Sequence, residues 1–322
     1  MGILNQDTID AASATFQAKF DEIFANGEAG VYQAFTDTIP TSSKVNEIDV
    51  LESMPVVRKW EGEKRYQSIR ASKLSATVIK YEKSFEIDRL DFASDKTGAI
   101  GRRISAFMSD AALYDKIVHD VLVSASGAGP TGYDGVALFS ASHPRVAGST
   151  GSNLTTTALS FAQFDTVMVA GASLRDDEGE PLRISYDTLI VGPKLMKLAM
   201  EITQSNVRLQ AVANDGLEAG TRVAAAAIPN VWGPGSMVFG GGQMTLIVDP
   251  RLVGTYDDYY YFLDTKKGPK PLHLFEFRKP EVIEQTSMDG HTRFNTDKFR
   301  WSIEFDAVCT AGAWQTAYAG VL

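Results

Sequence analysis

Residues 132–144, GYDGVALFSASHP, carry the side chains of this chain that could do chemistry. They combine an aspartate, Asp134, two serines, Ser140 and Ser142, and one of the four histidines, His143. These are the residue types of a hydrolytic triad, in which a histidine base held by a carboxylate takes the proton of a serine nucleophile. A serine-type hydrolase that uses Ser142 and His143 is therefore one hypothesis.

The spacing of these residues opposes that hypothesis. A nucleophilic serine is usually exposed on a strand–turn–helix elbow with the sequence G-x-S-x-G, and its base comes from elsewhere in the chain. Neither serine has that elbow, and Ser142 lies directly before His143. Adjacent residues of this kind rarely place the imidazole on the hydroxyl. We therefore favour architecture over catalysis and keep the hydrolase as the alternative.

The structural interpretation is a turn, a short buried strand and a second turn. Asp134-Gly135 is a turn signature, and a histidine that precedes a proline is biased towards extended or turn geometry, so His143-Pro144 would form the exit. The buried strand would contain Val136, Leu138 and Phe139.

Other motifs of catalysis or cofactor binding are missing from the sequence. The Walker pattern, GxGxxG after a strand, HExxH and CxxC do not occur. The histidines are dispersed, and we expect His119 to be a solvated or hydrogen-bonded helix residue. The acidic residues 176–180 lack the alternating oxygen ligands of a calcium loop and predict a solvated turn. We expect no catalytic residue, no cofactor and no metal.

Length and composition bound the class of protein. The chain has 322 residues, beyond the roughly 250–300 residues at which a single core stops growing, so we expect two lobes. A net charge of −9 argues against a free nucleic-acid binder. The single cysteine, Cys309, excludes a disulfide framework within the chain and predicts a small core residue. Neither a signal peptide nor a membrane span is indicated, so we expect a cytoplasmic site of synthesis.

The N-terminal third predicts a helix, an arm and a projecting hairpin. Apolar residues at helical spacing predict a helix over residues 7–25, followed by an extended arm that needs a neighbour to pack on. Residues 57–69 and 74–87 alternate like strands and would be joined by the RASK turn at 70–73. An isolated hairpin is marginal in water, and this one is highly charged, so we expect it to lie on another subunit.

The clearest helix is predicted over residues 95–124. Its apolar stripe recurs every three or four residues, and its length corresponds to a rod of about 40 Å. A rod of this length suits a structural spine. The stripe contains Ile100, Ile104, Phe107, Ala111, Tyr114, Val118 and Val121.

The remaining elements alternate between strands and two helices. We predict a helix over 160–175, a strand over 184–191 and a second helix after Pro193, and then strands over 244–252, 259–265, 271–286 and 298–309. The last strand has the alternation of a half-buried antiparallel strand. Its inward residues would be Phe299, Trp301, Ile303, Phe305 and Ala307.

The order of several short motifs resembles the major capsid proteins of tailed phages, in particular the Mu-like major head subunit family. Each motif is short, but together they cover most of residues 54–322 in order. The motifs are MPVVRKWEGEKRYQSI, YEKSFEIDRLDF, YDG with LF and HP, SNLTTTALSFAQF, PLRISYDTLIVGPKLMKLA, KPLHLFEFRKPEVI and FRWSIEFDAVCTAGAWQTAYA.

The resemblance implies an α+β Hong Kong 97-type capsid fold. Its units would be an N-terminal arm (1–55), an extended hairpin loop (56–90), a peripheral domain (91–183 and 266–312) with the spine helix, and an axial domain (184–265 and 313–322). The assembly contacts would include Arg58, Trp60, Lys64, Arg65, Arg70, Lys73 and Lys83. The core of the spine helix would include Ile100, Ile104, Phe107, Tyr114, Val118 and Val121.

The function implied is assembly into hexamers and pentamers of an icosahedral shell. This shell would enclose double-stranded DNA without sequence-specific binding. A separate scaffold or protease and a portal would assist assembly in the host cytoplasm, and the product would be a virion capsid without membrane contact. An encapsulin-like cellular compartment with the same fold is the alternative within this class.

Overall fold

The computed structural model describes most of the chain. The described residues are 6–25, 30–51, 62, 71–94, 102, 107, 113–127, 129–145, 150–175, 179–211, 225–233, 244–266, 270–287 and 297–322. Within this part no helix is long and apolar enough to cross a membrane.

A four-stranded sheet has the strand order β1-β13-β14-β4. Its strands are β1 (Thr36–Pro40), β4 (Ile79–Asp88), β13 (Leu272–Gln285) and β14 (Lys298–Ala311). β1 runs parallel to β13, and the other pairs are antiparallel. The predicted alternation of β14 is confirmed, because Phe299, Trp301, Ile303, Phe305 and Ala307 are all buried.

Two helices cover the apolar face of this sheet. The N-terminal helix α1 (Gln6–Ala25) buries Phe16 and Phe20 against Phe299 and Trp301. A second helix, Leu113–Ser124, packs its buried side chains against the part of the sheet that contains Phe305. Because β1 pairs with β13 and α1 packs on β14, these N-terminal elements are supported by their own chain. The described part of the arm thus has partners within its own chain, and its contact with a neighbouring subunit stays a prediction.

The predicted spine helix is described in its C-terminal part. The short helix α2 (Arg89–Ser94) precedes it, and the helix Leu113–Ser124, here α3, ends where the sequence predicts. Arg102 and Phe107 are helical as well. The other residues of 95–112 lie outside the described residues, so the continuous rod stays a prediction.

A five-stranded sheet has the order β11-β8-β12-β15-β7. The strands are β7 (Leu154–Thr155), β8 (Thr188–Val191), β11 (Thr245–Val248), β12 (Tyr260–Leu263) and β15 (Ala317–Gly320). Every residue of β8, β12 and β15 is buried. Continuous apolar runs such as YYFL are typical of strands covered on both faces.

Helices α4 (Phe161–Ser173) and α5 (Met196–Thr203) cover one face of the five-stranded sheet. The hydroxyl of Ser160 accepts a hydrogen bond from the backbone N–H of Gln163, which caps the first turn of α4. At the C-terminal end of α5, the Asn230 amide donates to the carbonyl of Ile202 at 2.8 Å. These caps satisfy backbone groups that helix ends leave unpaired.

The observed packing differs from the predicted division into domains at one boundary. Strand β7 and helix α4 precede residue 184, yet they pack with the five-stranded sheet. The division into arm, hairpin, peripheral and axial units stays a prediction.

Short two-stranded ribbons extend from the sheets. β2 (Val45–Leu51) pairs with β3 (Ala71–Thr77), β9 (Val207–Ala211) with β10 (Ala225–Pro229), and β5 (His143–Pro144) with β6 (Thr150–Gly151). The predicted RASK turn is therefore wrong, because residues 71–73 belong to β3 and the partner of β3 comes from residues 45–51. Of the predicted strand over 57–69, only Gly62 is described, where the chain bends, and the other residues lie outside the described ones.

The two sheets share one apolar core. It contains Leu274 and Phe305 of the four-stranded sheet, Ile190 and Tyr261 of the five-stranded sheet, and Val118 of α3. The chain passes between the sheets through residues 264–271 and again through residues 312–316.

Candidate functional site

The loop that contains residues 132–144 begins with the predicted turn. Gly135 has a φ of +76°, which a residue without a side chain adopts easily. Its N–H donates to the Gly132 carbonyl at 3.1 Å, and the N–H of Val136 donates to the Asp134 carboxylate at 3.2 Å. The Asp134-Gly135 turn is confirmed.

The predicted strand that follows is wrong. Leu138 and Phe139 are buried, but only Ala137 makes a bridge, to Thr131. The backbone groups of these two residues form hydrogen bonds outside any strand. The N–H of Phe139 donates to the carbonyl of Ala125, after the end of α3, and the Leu138 carbonyl accepts from the Asn153 side chain. His143-Pro144, predicted as an exit turn, is instead strand β5.

His143 is fully buried and uses both ring nitrogens within the chain. Its Nδ1 lies 2.6 Å from Oδ2 of Asp134, and its Nε2 lies 3.0 Å from Oδ1 of Asn153. The side chain has no exposed surface. A buried polar ring with both nitrogens paired is a satisfied structural group.

Asn153 determines which atoms donate in this cluster. Its Nδ2 lies 2.8 Å from the Leu138 carbonyl and 3.1 Å from the carbonyls of Trp314 and Ala317, which can only accept. Its Oδ1 accepts the N–H of Ser140 at 2.9 Å. The same Oδ1 must therefore accept from Nε2 of His143.

Trp314 closes the cluster from the other side. Its ring stacks on the His143 imidazole, with centroids 4.3 Å apart and planes 3° from parallel. Gly151 lies against the Trp314 ring so closely that an added Cβ would be 2.4 Å from it. We call Asp134, His143, Asn153 and Trp314 the crossover cluster, because Trp314 lies in the passage between β14 and β15.

The serines of this stretch are not placed for catalysis. The Ser142 N–H donates to Oγ of Ser140 at 3.2 Å, while the nitrogens of His143 are held by Asp134 and Asn153. No substrate could reach an imidazole without exposed surface. The hydrolase hypothesis is wrong for these residues.

His119 connects α3 to the segment that follows β11. It is nearly buried, and its Nδ1 lies 2.6 Å from Oδ2 of Asp249. Burial raises the pKa of Asp249, but hydrogen bonds from His119 and from the Arg251 N–H outweigh it and hold that pKa below its ordinary value. The expectation of a hydrogen-bonded helix histidine is confirmed, and that of a solvated one is wrong.

His273 is buried in β13 beside the arm strand β1. Its Nδ1 lies 3.9 Å from Oδ2 of Asp37, and neither ring nitrogen has a hydrogen-bond partner among the described residues. Burial lowers the pKa of His273, and the nearby Asp37 only partly offsets this. Oδ2 of Asp37 accepts the backbone N–H of Lys270 at 3.0 Å instead.

Metal and thiol chemistry find no support in the described residues. Within those ranges no group of three His, Cys, Asp or Glu side chains could hold a metal ion. Cys309 is buried in the shared core, and burial raises the pKa of its thiol to about 12. Because the thiolate is the reactive form, Cys309 is an inert core residue, as its apolar sequence context predicts.

Two of the predicted assembly contacts lie in described strands. Lys73 in β3 forms an exposed ion pair with Glu47 of β2 at 2.8 Å. The Lys83 ammonium lies over the Phe107 ring, 4.4 Å from its centroid, and donates to the Phe107 carbonyl at 3.0 Å. Lys83 therefore has partners within its own chain. The others, Arg58, Trp60, Lys64, Arg65 and Arg70, lie outside the described residues.

The predicted residues of the spine helix divide between two cores. Tyr114 and Val118 are buried in the shared core with Val121 packed at its edge, and Phe107 packs against the aromatic side chains under α1. Ile100 and Ile104 lie outside the described residues.

Sequence reasoning missed four residues that matter here. Ile117 and Leu122 are also buried, and the helical spacing from Val118 and Tyr114 could have found them. Asn153 and Trp314 could not be found from spacing, since their partners come from distant segments. The only signal for Trp314 was a large aromatic residue among small ones in AGAWQT.

The fold of this chain is similar to that of solved phage capsid structures. A procapsid structure of bacteriophage JBD30 matches 99% of this chain and 76% of its own, at 19% identity and a TM-score of 0.53. The mature capsid of bacteriophage PhiM1 matches 91% of this chain and 87% of its own, at 15% identity and a TM-score of 0.52. The fold is therefore the α+β fold of Hong Kong 97-type capsid proteins, as the resemblance implied.

The sequence family agrees with the fold. A model of the family described as phage capsid protein matches residues 71–320. The chain belongs to this family of phage capsid proteins. Among curated proteins, none matches the sequence. Because of this family and fold, the chain is a structural protein of a virion shell and not an enzyme. The crossover cluster is part of its architecture.

Proposed function

We propose that this chain is the major head subunit of a tailed phage and assembles into the hexamers and pentamers of an icosahedral shell. The observation that carries the proposal is the phage capsid family match over residues 71–320. A closed shell needs many identical copies that make heterologous contacts which close on themselves.

The exposed surface of the subunit supports such contacts. Apolar side chains are exposed on α5 and near the β9–β10 ribbon, where Met196, Met200, Val207 and Val231 are 38%, 37%, 50% and 72% exposed. Exposed apolar groups of this kind are typical of surfaces that become buried between proteins. The β2–β3 ribbon is a two-stranded sheet, an arrangement that is marginal in water without further packing.

The finer assignments are part of the same proposal. The resemblance supports a Mu-like subunit that uses a separate scaffold or protease and a portal, and that assembles in the host cytoplasm. A net charge of −9 supports a shell that encloses double-stranded DNA without binding it tightly. Lys73 and Lys83, with the other predicted contacts, would contribute to the interfaces.

Electron microscopy of the purified protein tests the proposal directly. We expect negative staining to show closed shells or capsomer rings, with or without a co-expressed scaffold. A uniform 35.0 kDa monomer under all assembly conditions, including co-expression with scaffold and portal genes, would contradict it.

A matched pair of charge reversals tests the role of the ribbon. Lys73 and Lys116 have the same side-chain exposure, 69%, and each pairs with a carboxylate within its own chain, Glu47 and Asp120. We expect Lys73→Glu to lower shell yield and Lys116→Glu on α3 to leave it unchanged. Equal yields from both variants would remove Lys73 from the set of assembly contacts.

A further inference from the structure

The passage of the chain from β14 to β15 is held from several sides. Residues 312–316 make up the whole connection between the two sheets at this point. The Gly312 N–H donates to the Pro271 carbonyl at 2.8 Å, and the Thr316 carbonyl accepts the N–H of Asp264 at 2.8 Å. Both partners belong to the other passage between the sheets, so the two passages are bonded to each other.

The crossover cluster contacts the same passage. Asn153 binds the carbonyls of Trp314 in the passage and of Ala317 at the start of β15. The Trp314 ring stacks on His143. The next residue, Gln315, donates through its amide to the Tyr133 hydroxyl at 2.8 Å.

The cluster is also tied to the core that the two sheets share. The Asn153 amide binds the carbonyl of Leu138, which is buried in that core together with Phe139. The Phe139 ring packs on Tyr261 of β12, and its N–H donates to the Ala125 carbonyl beyond α3. The loop therefore contacts the five-stranded sheet, α3 and the passage at once.

Hydrogen bonds constrain this junction in a way that apolar packing does not. The shared core is mostly aliphatic and aromatic, and the hydrophobic effect is non-directional, so it opposes separation of the sheets more than rotation between them. Hydrogen bonds weaken steeply away from linear geometry. A fully paired buried polar network can therefore select one arrangement of the elements that it joins.

We propose that the crossover cluster, Asp134, His143, Asn153 and Trp314, fixes the angle between the two sheets and thereby the curvature of the assembled shell. The second half of this statement rests on the proposed function. If subunits contact one another through elements attached to both sheets, the relative orientation of those contacts in the shell depends on this angle. The four side chains act as positioning residues for assembly.

The first half of the proposal is tested on the unassembled subunit. Spin labels are attached through Phe277→Cys on β13 and Val253→Cys beyond β11, two positions that are 45% and 53% exposed. The native Cys309 is buried and does not compete for label. We expect a narrow distance distribution in the parent and a broad one after His143→Phe, which keeps a ring against Trp314 but removes both hydrogen bonds.

A matched control distinguishes a change in the angle between the sheets from a general loss of stability. Val167→Ala removes buried volume from the core between α4 and the five-stranded sheet, away from the passage. It should lower Tm while the distance distribution stays narrow. A narrow distribution in His143→Phe, or an equally broad one in Val167→Ala, would overturn the proposal. If His143→Phe does not fold, Trp314→Phe keeps an aromatic ring in the passage but reduces its stacking on His143, and this variant is judged by the same two outcomes.

The second half is tested on shells. We expect parent and Val167→Ala shells to have one diameter, and His143→Phe and Asn153→Ala to lose the single-diameter population in favour of mixed sizes or open sheets. Single-diameter shells from both cluster variants would refute the link to curvature. A parent protein that forms no shells would count against the proposed function, while the label distances would still decide whether the cluster fixes the angle.

Discussion

The two sheets of this subunit bury their side chains in different ways. In the five-stranded sheet, every residue of β8, β12 and β15 is buried. In the four-stranded sheet, β4 and the second half of β13 alternate between half-buried and exposed positions. One sheet is interior on both faces, while the other has an apolar face under α1 and α3 and an open polar face.

This difference assigns different roles to the two sheets. The five-stranded sheet gains its stability within the subunit from apolar burial. The four-stranded sheet depends on α1 for part of its apolar face, and its open face carries ion pairs such as that of Glu86 with Arg300. We infer that the first sheet controls the stability of the subunit and that the second is more easily altered.

Truncation of one aromatic side chain in each sheet gives the largest expected contrast. Phe262 in β12 is fully buried, while Phe277 in β13 is 45% exposed. We expect Phe262→Ala to cost about 3–5 kcal/mol of unfolding free energy, and Phe277→Ala about 1 kcal/mol or less. Urea unfolding of the unassembled subunit measures both. Similar losses would mean that the two sheets do not differ in the way their burial indicates.

The attachment of α1 should show an intermediate effect. Phe16 is fully buried against Phe85 and Trp301. We expect Phe16→Ala to cost about 2–3 kcal/mol, below the usual range for this truncation, because α1 can detach without global unfolding. Hydrogen exchange should become faster in α1 and β4 and stay unchanged in β12. The exposed Gln17→Ala is the control, and faster exchange in β12 would show that the two sheets unfold together.

The pH dependence of stability sharpens the comparison at β13. Burial lowers the pKa of His273 in the folded state, and the unfolded value is about 6.5. Between these two values the unfolded chain binds more protons, so this contribution is present above pH about 6.5 and is lost as pH falls towards the folded-state pKa. The carboxylate of Asp37 lies 3.9 Å from the ring, and its effect on the pKa of His273 is smaller than that of burial.

The measurement is the unfolding free energy between pH 7.5 and 5 for the parent and for His273→Leu. We expect the parent to lose more stability over this interval, since other titrating groups are common to both proteins. If the unfolding free energies of the two proteins change in parallel with pH, His273 does not titrate differently in the folded and unfolded states.

The smallest effect is expected on the open face of the four-stranded sheet. There the Glu86 carboxylate contacts Lys298 and Arg300, and the hydrogen bond from Lys298 is the main cause that lowers the pKa of Glu86. Exposed ion pairs contribute little and are screened by salt. We expect Lys298→Ala to lower stability slightly at low ionic strength and not at high salt. A loss that is independent of salt would indicate a packing role for Lys298.

Elements with a strong local pattern could be predicted from the sequence. Helix α1, the end of α3 and the alternation of β14 all follow from periodic burial, which depends on neighbours within one element. The pairing between distant strands does not follow from periodic burial. Residues 45–51 and 57–69 both alternate, and only the fold shows that β3 pairs with the former. The turn predicted at 70–73 failed for this reason.

The crossover cluster shows the same division at the level of side chains. The sequence places Asp134, Ser140, Ser142 and His143 within one short stretch, and spacing alone was enough to argue against a triad. The sequence contained no indication that Asn153 would bind His143 or that the Trp314 ring would stack on the His143 imidazole. A hydrogen bond or a ring contact depends on where distant segments meet, and that position is a property of the whole fold.

By itself, the sequence determined the apolar and polar faces of the main elements and, through the order of its motifs, the capsid class. Those properties follow from local periodicity and residue type. Only the tertiary structure decided which strands pair, that the N-terminal helix packs on its own chain, and that residues 132–144 hold the junction between two sheets. The physical reason is that burial and hydrogen bonding at these places come from segments far apart in the chain, which only the complete fold brings into contact.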